Sequence, residues 1–274
     1  MNGTGLDPSP RLERTPRLPP AEVEPFLPEN PVDHAFTLYD QARFPELVRF
    51  VTCRVGGRLR AYLLIWEGEP ALPEVHWLGS DEPWEELAES LPPRPFVATV
   101  PPRLTELIER VRGPTRVFPL DVMVRPAAGV PPLRSEDGRT LVRRLEAHDL
   151  SPLEPGSEFS HALPPSLLKG GSGPRAYGAF RPEEGNRPLA VARTLVELPG
   201  LWVLGGIFTE PDHRRQGLAE AVTTRLVEEA HQRGADCALY VRSDNEGAVR
   251  LYRGLGFVFH HALRWIDAGA FRTP

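Results

Sequence analysis

Lysine is almost missing from this chain. Of its 32 basic residues only Lys169 is a lysine, an imbalance that by itself assigns no chemistry. Cysteine is scarce too. Cys53 and Cys237 lie far apart in sequence, each in an apolar, strand-like setting. That excludes a disulfide framework and a cysteine-based metal site, and two buried free thiols are expected. No apolar run approaches the roughly 18 residues that cross a bilayer, so no membrane span is expected. No basic start leads into an apolar stretch, so no secretory leader is expected, and a cytoplasmic location follows. Positive charge is not in excess: the formal net charge is -5, which argues against a nucleic-acid coat. No Gly-x-Ser-x-Gly elbow occurs, and Gly171-Ser172-Gly173 reads as a flexible loop. His213, His231, His260 and His261 lack metal-ligand spacing with the cysteines, so no metal is expected.

What the chain does have is enough for folded domains. Its 274 residues, 41% hydrophobic, fit one large domain or two small ones. Residues 1–30 combine proline and charge without periodicity and read as a flexible, proline-rich arm. The stretch RPAAGVPPLRSEDG, 125–138, reads as an interdomain break. The expected division is an arm at 1–30, a first domain at 31–126, a linker at 127–137 and a second domain at 138–274.

The second domain alternates elements. Strands are expected at TLVRRL (140–145), PRAYGAF (174–180), LAVARTLVEL (189–198), LWVLGGIF (201–208), ADCALYVRS (235–243) and in the run FVFHHALRW. Prolines break the segment 150–171 into short turns. Leu218, Val222, Leu226 and Ala230 form an apolar stripe on a helix, which Gly234 stops. NEGAVRLYRGLGF (245–257) is a short helix ending in glycines. The first domain reads as a fainter copy, with strand, helix, strand, helix and strand between LRAYLLIW (59–66) and TRVFPLDVMV (115–124).

The connection between LWVLGGIF and the striped helix carries the chemical signal. Gly205 and Gly206 inside a strand indicate a bulge or a close backbone approach. The following PDHRRQGLAEAV places Arg214, Arg215 and Gly217 at a helix start. Free N–H groups and the positive end of the helix dipole make such a start an anion site. Gly217 and the small Ala219 permit close approach. Basic residues there cost about 0.3–1 kcal/mol each if nothing anionic binds.

Position by position, Arg214-Arg215-Gln216-Gly217-Leu218-Ala219 resembles motif A of the GNAT (GCN5-related N-acetyltransferase) superfamily. Asn245, Ala248, Leu251, Tyr252 and Gly254-Leu255-Gly256-Phe257 resemble its motif B. The resemblance covers roughly 138–266. The first block lacks the turn: after His76-Trp77-Leu78-Gly79 comes the acidic SDEPWEE. The whole is similar to tandem GNAT proteins whose first copy has lost the cofactor site, as in relatives of glycine N-acyltransferase.

The resemblance implies an α/β (α+β) fold, a mixed central sheet flanked by helices, present as two copies in tandem. It implies acetyl-CoA, or another acyl-CoA, as co-substrate of an N-acetyltransferase that acts by direct attack of a primary amine. The acceptor is then a small-molecule or peptide amine, with no nucleic acid, no membrane, and a monomer or homodimer. Arg214, Arg215, Gln216, Gly217, Leu218 and Ala219 would meet the diphosphate. Ile207, Phe208 and Thr209 would pair with the pantetheine arm, and Asn245, Ala248 and Tyr252 would complete the cofactor site. Tyr252 stands at the family's acid position, and a phenol of reference pKa about 10 can protonate a departing thiolate. Glu197 is one candidate general base and Glu210 another. Arg225, Arg250 and Arg253 would either meet the 3′-phosphate or solvate helix faces. The first domain would shape the acceptor pocket or mimic a dimer partner. The alternative reading is a non-catalytic acyl-CoA-binding regulatory module.

Overall fold

The computed structural model describes residues 9–269 apart from 69–71, 81, 83, 94, 129–139, 151–173 and 186. The chain forms two compact units. Unit 1 takes the residues up to Asp121, Arg242–Asp244 and those from His261 onward; unit 2 takes Val122–Val241 and Asn245–His260. The expected cut at 126 and 138 therefore differs from the observed one, because two strands cross it. These are β6 (Arg116–Arg125) and β12 (Val258–Asp267), each of which begins in one unit and ends in the other.

Unit 1 contains β1 (Arg11–Thr15), α1 (Pro20–Val23), α2 (Pro31–Arg43), β2 (Val48–Val55), β3 (Arg58–Trp66), β4 (Glu74–Gly79), α3 (Glu85–Glu89), β5 (Val97–Val100) and α4 (Thr105–Arg112). Strands β1 to β4 are antiparallel, β5 joins β4 in parallel, and the end of β12 lies antiparallel on β5. One sheet face buries Val51, Leu63, Val75 and Trp77 with Leu87 of α3 and Leu107 and Ile108 of α4. The other face buries Phe50, Tyr62, Leu64 and Leu78 under Leu18 and Val23.

The expected flexible arm is corrected from residue 11 onward. Arg11–Thr15 pairs with β2 from Arg11↔Arg54 to Thr15↔Phe50, and Leu18 and Val23 are fully buried. The β1 side chains are almost all exposed. This strand is held by backbone hydrogen bonds along an edge, which leave no hydrophobic alternation in the sequence. Helix α2 escapes the same test for the opposite reason. Its start is well signalled, with Pro31 at the first turn and the Asn30 side chain accepting from Asp33 N–H at 3.2 Å. Its buried face, however, is polar: Asp33, His34, Thr37, Asp40 and Gln41. Partners make that burial tolerable. The Tyr62 hydroxyl meets His34 Nδ1 at 2.7 Å and Thr37 Oγ1 at 2.9 Å. Gln41 Oε1 accepts from Leu18 N–H at 3.1 Å. Asp33 Oδ2 accepts from Asn30 Nδ2 at 2.6 Å and lies 2.9 Å from His261 Nε2.

Unit 2 holds the end of β6, then β7 (Leu141–Arg144), β8 (Ala176–Phe180), β9 (Ala190–Leu198), β10 (Leu201–Thr209), α5 (Leu218–Gln232), β11 (Asp236–Arg242), α6 (Glu246–Gly254) and the start of β12. Its strand order is β6-β11-β10-β9-β8-β7. β7 to β10 are antiparallel neighbours, and β10 and β11 are parallel. This repeats the connectivity of unit 1, where an antiparallel meander also ends in a parallel pair. The predicted stripe of α5 is the buried one: Leu218, Val222, Leu226 and Ala230 pack with Trp202, Leu204, Cys237 and Leu239. Both cysteines are buried and free.

The expected interdomain break at 125–138 starts too early by sequence. Arg125 ends β6 and is 1% exposed; its Nε donates to the Leu255 carbonyl at 2.7 Å and its Nη1 lies 2.8 Å from His231 Nδ1. Residues 129–139, and the proline-broken segment at 151–171, lie outside the described residues. No helix of the described residues is long and apolar enough to cross a membrane.

Burial, reinforced by the negative charge of Glu74, pushes the Asp40 carboxyl up to about 7. The folded chain therefore binds more protons at this site than the unfolded chain does, and this contribution to stability is lost as pH rises from about 4 through about 7. Desolvation holds His34 and His76 down to about 4, which works the other way as pH falls from 6.5. The difference between parent and variant isolates the carboxyl. Asp40→Asn should be the more stable protein at pH 8 by roughly 1–3 kcal/mol, and the gap should close toward pH 4. Urea denaturation at both pH values checks this; a gap independent of pH would show that Asp40 is not held protonated.

Candidate functional site

Strand β10 builds the site because its two edges are treated differently. On the β9 side it is paired along most of its length, with register shifts between Val203 and Leu204 and between Gly205 and Phe208. On the β11 side the parallel ladder runs only from Leu201↔Asp236 to Leu204↔Leu239. β10 then continues to Thr209 and β11 to Arg242. The β10–β11 ladder thus stops at Leu204 while both strands run on. The two glycines have separate causes. Gly206 has φ 55. At Gly205 a Cβ would meet the Leu195 side chain at 2.6 Å, so packing explains that residue and no ligand is needed for it.

The turn after β10 is strained where it matters. Arg215 has φ 61, the only positive φ outside glycine among the described residues, a conformation that costs of order 1–3 kcal/mol. Gly217 follows with φ 78 as the N-cap of α5, with no side-chain capping bond. A Cβ at Gly217 would meet nothing within 4 Å. The glycine is there for its backbone, and open space lies in front of it. The first N–H groups of α5 have no intrahelical acceptor. They point the positive end of the helix toward that space. Leu218 is buried as an anchor and Ala219 is half-buried.

Other predicted residues fall around this turn. Arg214 is turned back onto its own strand, Nε donating to the Thr209 carbonyl at 3.2 Å and the guanidinium lying 5.8 Å from the Phe208 ring centre. Ile207, Phe208 and Thr209 are half-buried, and the Thr209 hydroxyl oxygen is shielded from solvent with no hydrogen-bond partner among the described residues. Gln216 donates from Nε2 to the Asp212 carbonyl at 3.3 Å, while its Oε1 accepts from Arg181 Nη1 at 2.5 Å. Sequence reading missed Arg181, since nothing in its own surroundings ties it to a residue so far along the chain.

Helix α6 supplies the rest. Asn245 caps it, Oδ1 accepting from Ala248 N–H at 3.1 Å, and Ala248 packs on the core. Tyr252 is 7% exposed, edge-on to Phe257 with ring centres 6.0 Å apart. Burial pushes its phenol up to about 12, so it is protonated at any ordinary pH. No hydrogen bond to its hydroxyl is found among the described residues.

Glu197 is placed elsewhere. It lies opposite Trp202 in the β9–β10 ladder, four residues from Gly206, or about 13 Å along the strand. Its Oε1 accepts from Thr194 Oγ1 at 2.7 Å, and its Oε2 pairs with Arg175 Nε at 2.9 Å. Its geometry is that of an ion pair at the far end of the hairpin, and the base role expected for it is withdrawn. Glu210 is paired too, with Arg187 at 3.2 Å. Of the arginines left open for a 3′-phosphate, Arg225 pairs with Glu228 and Arg250 with Glu246 on their own helices. The corresponding helix of unit 1 starts differently. Its α3 is five residues long and opens with Glu85 and Glu86, which would repel an anion. Among the described residues no group of three or more His, Cys, Asp or Glu could hold a metal ion.

A mixed sheet in which the β10–β11 ladder stops at Leu204, followed by a glycine-led helix start, is an arrangement suited to receiving an anion. Comparison with known proteins gives the family. The model of the acetyltransferase (GNAT) family matches residues 142–257. The [ribosomal protein bS18]-alanine N-acetyltransferase of Escherichia coli K12 is 34% identical over 119 residues, covering 42% of this chain and 79% of that protein. Among solved structures, a Drosophila protein superposes with a TM-score of 0.66 at 15% identity, over 93% of this chain and 97% of that one. A tandem GNAT protein from the clavulanic acid biosynthesis pathway gives 0.56 at 14%, over 96% and 100%. At those identities the structural likeness is one of fold. The chain belongs to the GNAT acetyltransferase family.

Gly217→Ala tests the strained turn. With open space around the site, the cost should come from φ alone and lower the unfolding free energy by about 1 kcal/mol. Chemical denaturation reads it; an unchanged or raised midpoint would mean that the left-handed conformation is not imposed.

Proposed function

We propose that unit 2 binds acetyl-CoA, or another acyl-CoA, and that the protein transfers the acyl group to a primary amine. The observation that carries the reading is the helix start at Gly217. It offers N–H groups without an intrahelical acceptor, positive dipole and vacant approach, beyond a strand whose ladder with β11 stops at Leu204. The residues present suit the donor: the N–H groups following Gly217 for the diphosphate, the part of β10 beyond its ladder with β11 for the amide-bearing arm, and the shielded Thr209 hydroxyl as a polar partner beside it. When bound, the donor supplies an activated thioester. The chain then has three tasks. The β10 backbone holds the acyl carbonyl in place and donates an N–H toward its oxygen. The two strands beyond their ladder exclude water from the acyl group. As the C–N bond forms and the C–S bond breaks, Tyr252, kept neutral by burial, gives its proton to the sulfur that leaves, and the proton shed by the amine nitrogen restores the phenol.

The acceptor is proposed to be a small-molecule or peptide amine. The Escherichia coli relative, by its name, acts on the alanine of a ribosomal protein, so a peptide N-terminus belongs in the panel. Unit 1, with its short acidic α3, is proposed to carry no acyl-CoA. The second reading, an acyl-CoA-binding regulatory module without turnover, is favoured by one observation: both carboxylates considered as general base are engaged in ion pairs.

Calorimetric titration with acetyl-CoA, followed by thiol release over a panel of amines and peptides, separates these readings. Saturable binding with thiol release supports transfer; binding without release for any amine supports the regulatory module; no binding overturns both. Tyr252→Phe should lower kcat about 100-fold or more, the usual range for a general acid being roughly 10²–10⁴, and change acetyl-CoA affinity less than threefold. Equal turnover would remove Tyr252 from the acid role.

A further inference from the structure

Four arginines gather around the start of α5, and they differ in what holds them. Arg187 is neutralised by Glu210 at 3.2 Å. Arg214 is folded back onto Thr209 and Phe208. Arg215 sits in the turn itself, exposed, with φ 61. Arg181 comes from outside the motif. It follows β8 directly, is half-buried, and is held by the side-chain amide of Gln216 at 2.5 Å. That amide is fixed in turn on the Asp212 carbonyl. No ion pair joins Arg181 to a carboxylate among the described residues, and its neighbour Glu183 is exposed.

A guanidinium anchored by a neutral amide keeps its whole charge. Arg181 spends one of its five N–H donors on Gln216, and the others are left for a planar, bidentate partner. Its anchor stands one residue before Gly217, at the positive end of a helix. Cationic side chains are disfavoured at that end unless an anion is shared between them. Any anion that reaches the free N–H groups of α5 therefore enters the field of Arg181 as well.

We propose that Arg181 is a phosphate-binding residue of the acyl-CoA site, delivered from the β8–β9 connection, and that Gln216 is the positioning residue that aims it. The proposal rests on the acyl-CoA reading above. The ligand group is a phosphate of the cofactor. The diphosphate and the 3′-phosphate have the same recognition chemistry, and removal of the 3′-phosphate tells them apart.

The experiment is calorimetric titration of the full chain with CoA and with dephospho-CoA, for the parent, Arg181→Gln and Arg181→Lys, at low and moderate salt. Arg181→Gln should weaken CoA binding about 10- to 100-fold, the loss of one charge-assisted phosphate contact. Its affinity should depend less steeply on salt than the parent's. Arg181→Lys should recover part of the loss, which a purely structural role would not predict. Equal weakening toward both ligands places Arg181 on the diphosphate, and weakening toward CoA alone places it on the 3′-phosphate; both support the proposal. Parent-like CoA affinity in an Arg181→Gln variant that melts like the parent overturns it. Should that variant fail to fold, Gln216→Ala releases Arg181 without removing charge and should cost about threefold or more in affinity; no loss there also overturns the proposal. A parent that binds neither ligand brings down the acyl-CoA reading itself, a result distinct from a parent that binds and a variant that does not care.

Discussion

The unequal pairing of β10 governs everything else in unit 2. A central strand ordinarily satisfies both edges of its backbone, because unpaired N–H and C=O groups in a protein interior are costly. Here four residues pair with β11 and the next five do not. The register shifts opposite β9 turn the strand away while that second edge remains bonded. The strand thus keeps its place in the sheet and still exposes a peptide edge. The helix that follows must start where this edge ends, so its free N–H groups fall at the mouth of the same gap. The specialised residues along this connection are accordingly set by the backbone: Gly206, Arg215 and Gly217 all hold positive φ.

The two units show one connectivity carrying two different helix starts. Both run an antiparallel meander into a parallel pair whose two strands are joined through a helix. In unit 2 that helix has fifteen residues and begins at a left-handed glycine. In unit 1 it has five and begins with two glutamates. The glycine of unit 1, Gly79 with φ 88, serves packing instead: a Cβ there would lie 2.6 Å from the Arg60 carbonyl oxygen. A glycine before a helix is therefore no evidence of a phosphate site until the space in front of it is known.

Polar groups in the interior mark where ordinary hydrophobic reasoning stops. The inner face of α2 is held by a Tyr62–His34–Thr37 cluster and by Asp33 bonds, and Arg125 is buried against a carbonyl and an imidazole. Each replaces water with a specific partner, and each loses its meaning if one partner is removed. Asp40 goes further, meeting burial by staying protonated.

Those features divide what was legible. The sequence by itself determined the elements whose residues answer a local demand. Leu218, Val222, Leu226 and Ala230 spell one face of a helix, Asn245 caps another, and Gly217 sits where a side chain would be strained. The family motifs are made of such residues, so family and fold could both be read from it. Only the tertiary structure decided the rest, because the deciding partner lies far along the chain. Strand β1 exists through its ladder to β2, and α2 hides a polar face that no hydrophobic period reveals. β6 and β12 cross the expected boundary. Glu197 is an ion-pair residue because Arg175 and Thr194 meet it at the closed end of a hairpin. Arg181 lies against the turn before α5 because folding brings it to Gln216. A residue's type states what its own backbone and solvation require, whereas its role depends on charges and hydrogen bonds that exist only once distant segments are packed together.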